Sequence, residues 1–123
     1  MNIAHTLLGA VLASACGLAQ AIDRDDAQAE LAQATTSVQA AERDDAARYA
    51  PVDLDEAHAM LDNALHAADA RAWTDVAIYS ERAKVSGELA SARSRQQRAE
   101  AATAEIRRSV DALQAGNLDG GVR

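Results

Sequence analysis

The residues that come closest to a metal site are four acidic and histidine side chains of one predicted helix, Asp55, His58, Asp62 and His66. Carboxylate and imidazole groups are common metal ligands, and this spacing places them along one helix. His58 and His66 would lie about 12 Å apart along the axis, so they cannot share one ion. A pair formed with Asp62 leaves the ion two protein ligands, whereas stable sites usually have three or four. We therefore predict a solvated acidic face and no metal site.

Catalytic and nucleic-acid chemistry are not indicated either. Four serines follow a helical pattern, Ser80, Ser86, Ser91 and Ser94, but no histidine lies near them in sequence to activate a nucleophile. A glycine-rich phosphate loop is absent, and the net charge of −7 with arginines interspersed among glutamates disfavours nucleic acid. We expect no catalytic residue, no cofactor and no nucleic-acid partner.

The first 22 residues are typical of an export signal, because they contain no Asp, Glu, Lys or Arg and include a short apolar run from Leu7 to Ala15. Ala19 and Ala21 supply the small side chains that a signal peptidase requires, which places the cut before Ile22. The apolar run is shorter than the roughly 20 residues of a transmembrane helix. We predict a signal peptide over residues 1–21 and a periplasmic mature protein. Because no Lys or Arg precedes the apolar run, an uncleaved N-terminal helix in the cytoplasm is an alternative.

Cys16 leaves a second form of processing open. The sequence Leu12-Ala-Ser-Ala-Cys16 resembles a bacterial lipoprotein box, in which the signal ends at residue 15 and the cysteine is lipidated. In that case the protein would be an outer-membrane lipoprotein, and only then would we expect it to contact the membrane. A single cysteine cannot form a disulfide within the chain, so the fold depends on packing alone.

The composition predicts helices with a thin core. The chain contains 32 alanines, and alanine is the strongest intrinsic helix former. Leu, Ile and Val together number only 16 after residue 21, and Phe is absent. We expect one domain of closely approaching helices that is marginally stable as a monomer and is stabilised by self-association.

Apolar periodicity predicts three antiparallel helices over about residues 23–48, 53–70 and 74–115, followed by a flexible tail over 116–123. The seam of the first is Ala27, Leu31, Ala34, Val38 and Ala41. Pro51 breaks the chain, and Asp53 is the expected N-cap of the second helix. The boundary at 71–73 contains neither Gly nor Pro, so one continuous helix through it is an alternative.

The third predicted helix decides the architecture, because at roughly 60 Å it is much longer than the second at about 25 Å. Its first half has two apolar faces, which favours a helix wedged against both of the earlier ones. Residues beyond about Arg93 should project past the bundle. We predict a three-helix, coiled-coil-like bundle whose overhang carries a candidate interaction surface, comprising Arg93, Arg95, Arg98, Ile106, Val110 and Leu113.

Two partners for the arginines of this surface are considered. One is anionic lipid headgroups, and the other, which we favour, is the acidic first or second helix of another copy. Trp73, Tyr49 and Tyr79 are interpreted as anchors at the helix junctions.

One stretch of the chain carries a recognisable pattern. It comprises Ala46-Ala47-Arg48-Tyr49-Ala50-Pro51, then Leu54, Ala57, Leu61 and Ala64, and, after Trp73, Ala77, Ala83 and Ala90. The pattern resembles domain-of-unknown-function family 4398 (DUF4398) over residues 23–113. The resemblance implies an exported, alanine-rich bacterial helical domain, often a lipoprotein and sometimes followed by a peptidoglycan-binding domain. We expect no peptidoglycan-binding activity from the residues given, and Arg71-Ala-Trp73 replaces the family's usual Gly-Asp-type turn. The resemblance implies no catalytic residues.

These patterns favour one function and leave a second as the alternative. The first is a non-enzymatic interaction or spacer protein of the cell envelope, which pairs with itself or with another envelope protein. The alternative is a periplasmic protein that binds a small ligand, metal or lipid, between its helices and is lipid-anchored at Cys16 if that residue is modified.

Overall fold

The computed structural model describes residues 22–120, and the side chains of residues 22–117. Four α-helices follow one another in this range: α1 (Arg24–Arg43), α2 (Ala46–Tyr49), α3 (Pro51–Asp69) and α4 (Trp73–Gly120). The long helices α1, α3 and α4 pack together as an all-α bundle, with α4 against both of the others. The predicted fold class is therefore confirmed. Cys16, Ala19 and Ala21 lie outside the described residues, whereas Ile22 is exposed at their edge.

Helix α1 begins where the sequence predicts. The carboxylate of Asp23 accepts a hydrogen bond from the backbone N–H of Arg24 at 2.6 Å, and Asp25 and Asp26 lie in the first turn. Negative charge at this end complements the helix dipole. The buried residues of α1 are Ala27, Ala34, Val38 and Ala41. Leu31, the remaining member of the predicted seam, is half-buried.

The connection from α1 to α3 differs from the prediction in two respects. The first helix ends at Arg43 rather than near residue 48, because Asp45 adopts a left-handed conformation with φ 62° that separates the short helix α2. The second helix begins at Pro51, two residues before the expected N-cap Asp53. Proline suits the first helical position because it has no N–H to leave unpaired. Asp53 instead lies buried in the first turn.

A turn at Ala70–Ala72 separates α3 from α4, so the continuous-helix alternative is wrong. Arg71 has φ 56°, its N–H donates to the Ala68 carbonyl at 3.0 Å, and the Ala72 N–H donates to the Ala67 carbonyl at 2.9 Å. These two bonds form a Schellman motif, in which glycine usually occupies the left-handed position. Arginine occupies it here, so the sequence lacked the usual signal.

The core is built mainly from alanine. The buried apolar residues are Ala27, Ala34, Val38, Ala41, Ala46, Ala50, Leu54, Ala57, Ala64, Val76, Ala83 and Ala90. Small side chains let the helix backbones approach closely. Gly87 of α4 marks one such close approach, since a β-carbon built on it would lie 3.0 Å from the backbone of Ser37 and Val38 in α1.

Only one side of α4 packs in the bundle. We call its buried positions the inner stripe; they are Val76, Ser80, Ala83, Gly87, Ala90, Ser91 and Ser94. The other predicted face, Ile78, Val85, Leu89 and Ala92, is exposed. The prediction that this helix packs against both earlier ones is confirmed, but it does so through one face rather than two. Helices α1 and α3 both lie on the inner side.

Helix α4 has 48 residues and is about 72 Å long, against about 30 Å for α1 and α3. It continues to Gly120 rather than ending at 115, so Gly116 and Asn117 do not stop it. Gly116 does not adopt the positive φ at which a glycine commonly ends a helix. Within residues 22–120, no helix is long and apolar enough to cross a membrane.

Candidate interaction surface on helix α4

The most extended surface feature is a line of apolar side chains along the solvent side of α4. We call it the outer stripe; its members are Ile78, Val85, Leu89, Ala92, Ala99, Ile106, Val110 and Leu113. The six larger ones are between 42% and 71% exposed. Monomeric proteins expose single apolar residues commonly, but a contiguous line of them is typical of an interaction site.

The spacing of the outer stripe is that of a coiled coil. Six of its members repeat every seven residues from Ile78 to Leu113, and Leu89 and Val110 follow four residues after two of them. A seven-residue repeat keeps one seam facing a partner helix. The signal was present in the sequence, but the first half of the stripe was assigned to the bundle interior. The stripe therefore extends further towards the N-terminus of α4 than the predicted surface did.

The arginines of the predicted surface are used within the chain. Arg93 donates through Nη1 to both carboxylate oxygens of Asp53, at 2.6 and 2.8 Å. Asp53 is only 8% exposed, so its charge requires such a partner. The ion pair raises the pKa of Arg93 further above its ordinary value, chiefly through the hydrogen bond to Asp53. It joins the first turn of α3 to α4.

A second polar cluster forms around Asp44, the residue that caps the C-terminus of α1. Its carboxylate accepts hydrogen bonds from Ser91 Oγ and from Arg95, whose Nε lies 2.8 Å from Oδ2. Its backbone carbonyl accepts a hydrogen bond from Ser94 Oγ. The hydrogen bonds from Arg95 and Ser91 hold the pKa of Asp44 below its ordinary value.

Arg98 belongs to the same cluster, with Nη1 3.3 Å from Asp45 Oδ2 and Nη2 3.9 Å from Asp44 Oδ1. We call the ion pairs that Arg93, Arg95 and Arg98 form with these aspartates and Asp53 the polar junction. The predicted surface is thus divided. Arg93, Arg95 and Arg98 anchor α4 to the turn between α1 and α3, whereas Ile106, Val110 and Leu113 lie exposed beyond it. The overhang, residues 99–120, begins after Arg98 rather than near Arg93 because these ion pairs extend the bundle by about one and a half turns. Sequence reasoning missed Asp44, Asp45 and Asp53 as their partners.

The candidate metal ligands are not brought together. His58 lies with Nε2 2.8 Å from Glu42 Oε1 of α1, and Asp55, Asp62 and His66 are exposed along α3. Over the described residues, no group of three or more His, Cys, Asp or Glu side chains is placed to hold a metal ion.

Aromatic side chains lie at both ends of the bundle. The Trp73 ring, at the start of α4, lies 5.7 Å from the guanidinium carbon of Arg24 at the start of α1. The Tyr49 ring lies 5.2 Å from that of Arg48. Trp73, Tyr49 and Tyr79 are all half-buried. These contacts fit cation–π attraction, and the half-buried rings fit a packing role at the junctions.

An open groove lies between the N-terminal part of α1 and α4. Its volume is about 710 Å³, and its lining combines apolar residues with charged ones. The lining residues are Ile22, Asp26, Ala29, Glu30, Ala77, Ile78, Glu81 and Arg82.

These features define an alanine-rich, all-helical bundle whose last helix projects beyond the other two and carries an exposed heptad stripe. The family model DUF4398, described as a domain of unknown function, matches residues 29–106. The chain belongs to this family, which confirms the predicted resemblance. Comparison with curated proteins and with solved structures gives no significant match.

Proposed function

We propose that this protein is a non-enzymatic interaction or spacer module of the bacterial cell envelope, and that α4 is its working element. The observation that carries the proposal is the outer stripe, which stays exposed along the bundle and through the overhang. Burying such a line requires a partner helix, since the apolar area removed from water drives association.

The polar junction supports a spacer role. Arg93, Arg95 and Arg98 fasten α4 to the turn between α1 and α3 just before the overhang begins. A helix held in this way projects about 30 Å beyond the bundle in a defined direction. A flexible tail of the same length would not hold two partners at a set separation.

The interaction role is tested by sedimentation velocity and by capture of envelope components from the native host. Ile106→Glu with Leu113→Glu should abolish association, because two charges are placed on the exposed stripe. Val52→Glu is the matched control, since Val52 is 77% exposed on α3, away from the stripe. A strictly monomeric protein that captures no envelope component would contradict the proposal.

Export is tested by the intact mass of the protein from its native host. A mature chain that starts at Ile22 supports a soluble periplasmic form, and a diacylated Cys16 supports the lipoprotein form. An unprocessed chain recovered from the cytoplasm would contradict an envelope role.

A second candidate is the binding of a small ligand, and the groove between α1 and α4 is the observation that favours it. Its apolar part could hold an acyl chain, whereas Asp26, Glu30 and Glu81 disfavour an anionic headgroup. A ligand that binds only the folded state raises its melting temperature. Melts that are unchanged by zinc, copper or phospholipid would remove this candidate.

A further inference from the structure

We propose that the occupant of the outer stripe is a second copy of this chain, aligned parallel and in register, so that the two α4 helices form a two-stranded coiled coil. This inference rests on the interaction role proposed above and specifies its partner and geometry. It assigns a binding role to Ile78, Val85 and Leu89, which the sequence had placed inside the bundle.

The bundle leaves room for such a partner. Each residue turns an α-helix by 100°, so positions two residues apart point in nearly opposite directions. The outer-stripe residues Ile78, Val85, Leu89 and Ala92 each follow an inner-stripe residue by two positions. The buried positions of α4 lie on the inner side, where α1 and α3 pack, so a partner helix can lie along the outer side without displacing either.

A parallel alignment stacks like residues on like. If Ile78 is assigned to heptad position d, every d position is apolar. Leu89 and Val110 occupy a positions, and the other a positions are polar, namely Arg82, Gln96, Thr103 and Asn117. Each large apolar residue of one copy then meets the same residue of the other.

An antiparallel alignment over the same length matches the stripe less well. It would place Val85 beside Val110 and Leu89 beside Ile106, but it would set Leu113 against Arg82 and Ile78 against Asn117. The apolar pattern therefore favours the parallel arrangement.

The flanking charges favour it as well. In a parallel coiled coil, each g position faces the e position five residues further along the partner. Glu88 then faces Arg93 of the second copy, and Arg95 faces Glu100, which makes four attractive pairs by symmetry. The antiparallel alignment gives only Arg93 facing Glu100, twice. Arg93 uses only Nη1 for Asp53, so its Nε and Nη2 remain available. Arg95 uses Nε and Nη2 for Asp44 and Ser91, so only its Nη1 is left for Glu100 of the second copy.

Arg82 sets a limit on the affinity. It occupies an a position, where the two copies of its guanidinium would approach each other across the seam. Its stem can lie along the seam while the charge reaches solvent, at a cost to stability. Arg82→Leu should therefore tighten association by roughly tenfold, equivalent to about 1.4 kcal/mol. An unchanged association constant in this variant would overturn the inference.

Disulfide crosslinking tests the alignment directly. In the full chain with Cys16→Ser, Val85→Cys and Leu113→Cys should each form homodimers under mild oxidation, because a parallel seam places each residue beside its own copy. Val52→Cys is the control, being exposed on α3, and should form none. All three sites are exposed, so the variants should retain the helical circular dichroism of the unmodified chain.

The possible outcomes separate this inference from the proposed function. Crosslinks that form only when Val85→Cys and Val110→Cys chains are mixed would establish an antiparallel pair and overturn the parallel one. A monomer whose stripe binds vesicles of anionic phospholipid would also overturn it. A monomer that instead captures another envelope protein would overturn the inference but leave the interaction role standing. A protein that neither associates with itself nor captures a partner would contradict both the proposed function and this inference.

Discussion

Gly87 is the residue at which the close approach of α1 and α4 can be tested. A β-carbon added there would lie 3.0 Å from the Ser37 carbonyl carbon, 3.0 Å from the Val38 nitrogen and 3.1 Å from the Ser37 oxygen. Favourable separations between non-bonded carbon atoms are about 3.5–4.0 Å. All three neighbours are backbone atoms, so Gly87→Ala can be accommodated only if α1 and α4 move apart.

Two opposing effects set the size of the change. Alanine is about 1 kcal/mol better than glycine in the interior of a helix. Overpacking a well-packed interface costs typically about 1–3 kcal/mol. Because the atoms that must move belong to two long helices, we expect overpacking to dominate and Gly87→Ala to lower the free energy of unfolding by about 1 kcal/mol. In a domain of this size, that lowers Tm by roughly 4–8 °C.

Gly116→Ala is the matched control. Gly116 lies in the same helix, and no atom lies within 4 Å of the β-carbon it would gain. This variant should show only the improved helix propensity, a gain of up to about 1 kcal/mol. Both variants are measured by urea unfolding followed by circular dichroism, at one protein concentration because association contributes to stability. If Gly87→Ala stabilises the chain as much as Gly116→Ala does, the two helices are not in close contact at this point.

Three further predictions concern other parts of the bundle. Val76→Ala should lower the free energy of unfolding by about 1–3 kcal/mol, because Val76 is fully buried. Val52→Ala, at an exposed position, should change it by less than about 0.5 kcal/mol. Equal effects of the two substitutions would contradict the assigned core. Arg71→Gly should raise it by up to about 1 kcal/mol because glycine relieves the left-handed conformation, and a destabilised variant in urea unfolding would contradict the turn. The folded-state pKa of Asp44 is lowered, so its contribution to stability should be present above about pH 4 and lost as the pH falls through the folded-state pKa. Asp44→Asn should flatten this part of the pH profile in thermal melts. An unchanged profile would refute the role of Asp44.

The parts of the fold that sequence reasoning predicted are those set by local pattern. Alanine content and the seam of α1 indicated helices with a thin core, and the length of α4 indicated an overhang. The boundaries were harder to predict because they depend on single backbone conformations. Asp45 and Arg71 both adopt positive φ without being glycine, so neither carried the usual signal for the end of a helix.

The interaction surface shows a second kind of limit. Asp44 and Asp53 are far in sequence from Arg95 and Arg93, and only the return of the chain brings these charges together. From the sequence alone, these arginines are expected to pair with acidic residues of another molecule, whereas the fold pairs them with aspartates of the same chain. Periodicity found both apolar faces of α4 but did not show which one the bundle buries, because alternating large and small residues fit either face.

The distribution of side-chain size along α4 is itself an argument for association. Apart from Val76, the inner stripe consists of Ser, Ala and Gly, whereas the outer stripe carries Ile, Val and Leu. Free energy gained from burial rises with apolar area, so the half-exposed larger side chains of the outer stripe contribute less in the isolated chain than they would if fully buried. Small inner residues are what let α1 and α3 approach closely, and the close approach at Gly87 leaves little space for larger ones. A second copy along the outer stripe would bury those larger side chains, so association should raise Tm with protein concentration.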